Sequence, residues 1–113
     1  MEYSPGRHAD EDELIALSEI VSRHNGIYTS HIRERGDNFQ VAVQEALNIG
    51  LQANVPVQLS HLAPRPYAPP RVLDRVLAMV HEAQLAGQQV GIDTFPDPWG
   101  PAHLLDLVPP WVY

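Results

Sequence analysis

Val55-Pro56-Val57-Gln58-Leu59-Ser60-His61 is the stretch that decides the fold. It is short, β-branched and apolar, and it follows the turn residue Asn54. Its early proline suits the first residues of a strand, where no ladder donor is missed. Two further segments have the same character: Ile27-Tyr28-Thr29-Ser30-His31-Ile32 upstream, after Asn25-Gly26, and Gln89-Val90-Gly91-Ile92-Asp93-Thr94-Phe95 downstream, after Gly87. Between and before them the hydrophobic period becomes helical. From Asp10 to His24, Leu14, Leu17, Val21 and Ile15, Ile20 fall on helical spacing, with Asp10 and Glu13 forming a capping box at the start. A second helix opens at Gly36-Asp37 and carries Phe39, Val43, Ala46, Leu47 and Gly50 on one stripe. A third follows the Pro64–Pro70 loop with Leu73, Val76, Leu77, Val80 and Ala83 on one face, closed by Gly87 as a left-handed cap.

The order is α-β-α-β-α-β with strands about 30 residues apart, which predicts an α/β fold of three βα units on a parallel sheet. Two architectures use such units. A doubly wound nucleotide-binding sheet wants a glycine-rich turn after its first strand, and none of the three strands here has one. The other is the (β/α)8 barrel, which needs roughly 200 residues, so 113 residues read as a partial arc of it. Residues 1–113 form one segment in this reading, with 96–113 a loop-rich tail.

Composition removes several function classes. Hydrophobic residues make up 44% and the net charge is −7, which fits a folded chain and opposes a phosphate-tracking nucleic-acid binder. All 7 basic residues are arginine, so no Schiff-base, P-loop or carboxylated lysine is available. There is no cysteine for thiolate metal sites or disulfides. No apolar run approaches the roughly 18 residues that span a bilayer, and no leader pattern opens the chain, so the expectation is a cytoplasmic protein without membrane contact.

In either architecture the chemistry sits at the C-terminal ends of the parallel strands. Those ends carry Ser30-His31, Ser60-His61 and Asp93-Thr94. With neighbouring strands about 4.8 Å apart, these side chains can converge on one ion or one substrate, and imidazole and carboxylate are zinc ligands where thiolate is missing. A histidine at a strand end also serves as a plain hydrogen-bonded structural residue. The run Arg33-Glu34-Arg35 can hold a substrate carboxylate by a bidentate fork, or pair with itself in solvent. Tyr67, Trp99 and Trp111 read as residues sealing the ends of the sheet.

Together, Ile27-Tyr28-Thr29-Ser30-His31-Ile32-Arg33, Val55-Pro56-Val57-Gln58-Leu59-Ser60-His61-Leu62, Ile92-Asp93-Thr94-Phe95-Pro96 and Leu107-Val108-Pro109-Pro110-Trp111 resemble the middle of the N-acyl-D-amino-acid deacylases, or D-aminoacylases, of the metal-dependent amidohydrolase superfamily. The resemblance implies about the fourth to sixth strands of a (β/α)8 barrel and, in the complete protein, zinc-dependent hydrolysis of an N-acyl-D-amino acid to a carboxylate and a D-amino acid. It implies that His61 is the metal ligand, and that His31, Arg33 and Asp93 lie at the substrate. The chain departs from the family pattern in Arg33-Glu34-Arg35-Gly36, where members have an acid in place of Arg35, in Ala63, where many have lysine, and in Phe95 and Asp97, which replace two tyrosines. The superfamily's first-strand His-x-His pair, the family's bridging cysteine and the last-strand aspartate have no counterpart, so the chain alone is expected to be inactive. Two alternatives stand beside this. One is a binding or assembly module that self-associates through open sheet edges. The other is a hydantoinase-like or dihydroorotase-like amidohydrolase, which the absence of lysine opposes.

Overall fold

The helix caps explain where the elements begin. Asp10 accepts the Glu13 amide at 2.8 Å, and helix α1 follows over Glu11–Arg23. Three acidic residues in its first turn complement the helix dipole. The computed structural model describes residues 4–97. After α1 come β1 (Tyr28–Ser30), α2 (Phe39–Gln52), β2 (Val57–Leu59), α3 (Val72–Leu85) and β3 (Val90–Ile92), with one turn of 3-10 helix at Gly6–His8 before α1.

The strands form one parallel sheet in the order β1-β2-β3, so the expected arrangement of three βα units is what the chain adopts. Each strand is three residues long, shorter than the sequence pattern suggested. The flanking residues still bond across the sheet outside the regular ladder. Tyr28 N–H donates to Pro56 O at 2.9 Å, and Val57 N–H donates to Gln89 O at 2.9 Å. Pro56 keeps its carbonyl in use while its missing donor falls at the strand's start.

Alternation sorts the sheet's two faces. Val57, Leu59 and Val90 are buried against α2 and α3, whereas Thr29, Gln58 and Gly91 share a register row on the opposite face. The core is built from Phe39, Val43 and Leu47 of α2, Val72, Val76 and Val80 of α3, and the inward strand residues. The α3 stripe therefore runs through 72, 76 and 80, and Leu77 points out at 40% exposure. On α1 only Leu14 and Ser18 are buried, while Leu17 and Ile20 stay more than half exposed.

Two glycines are required by the fold. Gly50 lets α2 approach β2, since a Cβ there would run into Val57 and the Gln88 amide. Gly87 has φ 93°, the left-handed conformation expected of it where the chain leaves α3. Helix α2 starts later than its sequence pattern because Glu34 folds over the preceding turn, its carboxylate accepting from the amides of Gly36 and Asn38. The tail with Trp99 and Trp111 lies outside the described residues. Among those residues no helix is long and apolar enough to cross a membrane.

Candidate functional site at the C-terminal strand ends

Register places His31 one residue beyond the last paired residue of β1. The row Ser30↔Leu59↔Ile92, continued by one residue, aligns His31 with Ser60 and Asp93. The two Ser-His pairs are therefore not level. They are 30 residues apart in sequence, but the β1-to-β2 register offset is 29, as in Tyr28↔Val57. His61 reaches His31 because the chain turns after Leu59, with His61 in the left-handed region at φ 37°. A non-glycine residue there costs about 1–2 kcal/mol, and such strain gathers where a side chain must be aimed.

What the turn achieves is contact. Nδ1 of His31 and Nε2 of His61 face each other within hydrogen-bonding range, and the ring centroids lie 4.3 Å apart. Phe95 stacks on His61 with centroids at 5.1 Å and planes 11° apart. Nη1 of Arg35 lies 3.2 Å from Nδ1 of His61. From below, Asp93 accepts the His61 backbone amide at 2.7 Å through Oδ1 and the Gln58 side-chain amide at 2.7 Å through Oδ2. These two bonds, the backbone one first, hold the Asp93 carboxyl below its ordinary range. His31 and Asp93 are exposed, and His61 and Arg35 are half-buried.

Arg33 occupies a different place. Its guanidinium grips the Glu45 carboxylate of α2, with Nε to Oε2 at 3.0 Å and Nη2 to Oε1 at 2.7 Å. It also donates to the carbonyls of Arg7 and Ala9. The Glu45 hydrogen bond is the main reason its pKa is raised. Arg33 thus clasps the N-terminal segment to α2, and the arginine beside the histidines is Arg35. Sequence pattern picked out His31, His61 and Asp93 as a group and the structure brings them together. The roles of Arg35, Phe95, Gln58 and Glu45 were not read from it. Arg35 and Phe95 stood out only as departures from the family pattern.

Among the described residues no group of three or more His, Cys, Asp or Glu side chains is arranged to hold a metal ion. A cavity of about 320 Å³ lined by Gly50, Asn54, Val55, Gly87 and Gln88 lies at the other end of the strands, where α2 and α3 run into β2 and β3.

No family model matches the chain. The D-aminoacylase of Alcaligenes xylosoxydans xylosoxydans is 33% identical over 95 residues, which is 83% of this chain and 19% of that protein. The N-acyl-D-glutamate deacylase of the same organism is 32% identical over 99 residues, 85% of this chain and 20% of the relative. Among solved structures, the N-acyl-D-glutamate deacylase of Bordetella bronchiseptica, complexed with zinc and a phosphonate mimic of the tetrahedral intermediate, matches with TM-score 0.79 and 32% identity over 86% of this chain and 20% of that one. A D-aminoacylase structure that defines a subset of amidohydrolases matches with TM-score 0.73 and 31% identity over 84% of this chain and 20% of that chain.

The fold and the strand-end histidines are those of an amidohydrolase-type βα segment. Within that class the chain is a relative of the N-acyl-D-amino-acid deacylases, the D-aminoacylases and N-acyl-D-glutamate deacylases, and it spans about a fifth of their length.

Proposed function

We propose that the chain is the part of a deacylase-type (β/α)8 barrel that presents His31 and His61 at the mouth of the site, in a protein that hydrolyses the C–N amide bond of an N-acyl-D-amino acid to a carboxylate and a D-amino acid. The observation that carries the reading is the convergence of the two imidazoles at adjacent parallel strand ends, where such folds place their chemistry. In this reading His61 is a metal ligand, His31 lies beside it, and Asp93 acts by fixing the turn that aims His61.

Zinc is the metal that this relationship brings to mind, and the residues present do not make a site for it. A catalytic zinc takes three protein ligands. Here only two imidazole nitrogens converge, and both oxygens of the nearby Asp93 are engaged by His61 N–H and Gln58. No catalytic step is assigned to the described residues on their own.

Replacing the matching segment of a D-aminoacylase with this chain tests the proposal. At saturating zinc the chimera should release D-amino acid from an N-acyl-D-amino acid, and His61→Ala in the chimera should abolish the release. A folded chimera that stays inactive would refute it. The isolated chain should release none, and turnover by it alone would contradict the two-ligand reading. A second reading, an assembly module, draws on β1 and β3 being the two edges of the described sheet. It predicts a concentration-dependent dimer by sedimentation, which the deacylase reading does not require.

A further inference from the structure

Arg35 meets His61 at the nitrogen that decides how the ring can be used. A guanidinium has only donors. The 3.2 Å contact between Arg35 Nη1 and His61 Nδ1 therefore makes Nδ1 the acceptor, with its lone pair pointing at the arginine. A neutral imidazole carries one proton, so that proton sits on Nε2. Nε2 is the atom that faces Nδ1 of His31, which then accepts. Donors run in one direction, from Arg35 through His61 to His31.

We infer that Arg35 is a positioning residue that locks His61 in the Nε2–H tautomer, making the His31–His61 pair a hydrogen-bond relay and opposing metal binding at His61. This deepens the deacylase reading by naming the residue that governs metal at the same histidines. A metal at Nε2 needs the lone pair there and the proton on Nδ1, where it would meet the N–H of a fixed cation. Ligating histidines ordinarily donate their second N–H to a carboxylate, carbonyl or water, and Arg35 reverses that requirement. Asp93 does not compensate, because its two oxygens hold the His61 backbone and Gln58. Nor does the ring turn easily to offer another edge, since Phe95 stacks on it at 5.1 Å and His31 lies 4.3 Å away.

The test uses the whole chain, metal-free, with ¹⁵N-labelled histidine. Long-range ¹H–¹⁵N correlation near pH 8.5, roughly two units above the ordinary imidazole pKa, reads the tautomer directly. His61 should carry its proton on Nε2 in the parent and on Nδ1 in Arg35→Glu. Calorimetric titration with zinc chloride should show Arg35→Glu binding about 10–100-fold more tightly than the parent, the range that such supporting contacts command. Arg75→Glu makes the same charge change on the exposed face of α3 and should leave zinc affinity unchanged. If Arg35→Glu does not fold, Arg35→Gln supplies a neutral acceptor and should shift both readouts in the same direction. An Nδ1–H tautomer in the parent, no gain in zinc affinity in a folded Arg35 variant, or an equal gain in Arg75→Glu would each overturn the inference. The tautomer measurement needs neither metal nor substrate, so an inactive chimera would sink the deacylase reading without touching this one.

Discussion

Removing the Glu45 carboxylate should loosen the N-terminal third of the chain, and the size of the effect follows from how the Arg33 pair is buried. The Arg33 and Glu45 side chains are 27% and 18% exposed, and the fork makes contacts of 2.7, 3.0 and 3.1 Å. Breaking a fully buried pair costs about 3–5 kcal/mol, whereas an exposed one is worth about 0–1 kcal/mol. This pair lies between, and hydrogen bonds to charged groups each contribute about 1.5–3 kcal/mol. Glu45→Ala should therefore cost about 2–3 kcal/mol, a large share of the roughly 5–15 kcal/mol typical of a domain. At about 4–8 °C per kcal/mol for a domain of this size, Tm should fall by roughly 10–20 °C. Thermal and urea melts of Glu45→Ala, Arg33→Ala and the double variant close a cycle whose coupling should exceed about 1 kcal/mol. Because Arg33 also holds the carbonyls of Arg7 and Ala9, hydrogen exchange at the start of α1 should quicken in both single variants. A coupling below about 0.5 kcal/mol, within the additivity error of independent sites, would show that the clasp is ornamental and refute the reasoning.

Acid should act through Asp93. Its folded pKa is lowered from 3.8 by the His61 amide and then by Gln58, so its stabilisation is complete above that value and is lost as pH falls through the lower folded one. Asp93→Asn should flatten the acid limb of stability below about pH 4 in urea melts, and an unchanged limb would remove Asp93 from that role. Gly50→Ala should destabilise by about 1–3 kcal/mol through overpacking, because the added Cβ meets Val57, which is only 1% exposed; a neutral urea midpoint would show that α2 can back away from β2. At His61, φ is 37°, so His61→Gly should be more stable than His61→Ala by about 1 kcal/mol. The reverse order would mean that the turn is not held in the left-handed region.

The helices and the parallel order were legible because their causes are local. Asp10 sits one residue before an apolar period, Gly87 one residue beyond its end, and the stripe Phe39-Val43-Ala46-Leu47-Gly50 matches the buried face of α2. Strand ends were less legible, since a ladder counts only residues with partners on a neighbour and the partner's length is a long-range fact. The Leu77 assignment failed for a related reason: a face read at 3.6-residue spacing is broad, and contact with α2 and the sheet selects 72, 76 and 80 within it. Arg33 and Arg35 show the limit most clearly. Nothing in Arg33-Glu34-Arg35 says which arginine turns to α2 and which to the histidines. The choice rests on Glu45, 12 residues away, and on where the turn at His61 places its ring.

That turn also links the fold to the chemistry. In an unbroken parallel ladder, His31 would stand beside Ser60, and the rings of His31 and His61 would belong to different rows. The left-handed step at His61 shifts the second imidazole by one row, and Asp93 holds the step by capping the amide that the step leaves without a ladder partner. Gln58 completes the cap from the strand's outer face, the same row as Thr29 and Gly91. Gly91 is required there because a side chain would occupy the space of the Gln58 amide. Pairing two imidazoles thus depends on a glutamine, a glycine and an aspartate that touch neither interacting ring nitrogen. The spacing of 30 between the Ser-His pairs points to the right residues, although its one-residue mismatch with the register is what the site has to overcome.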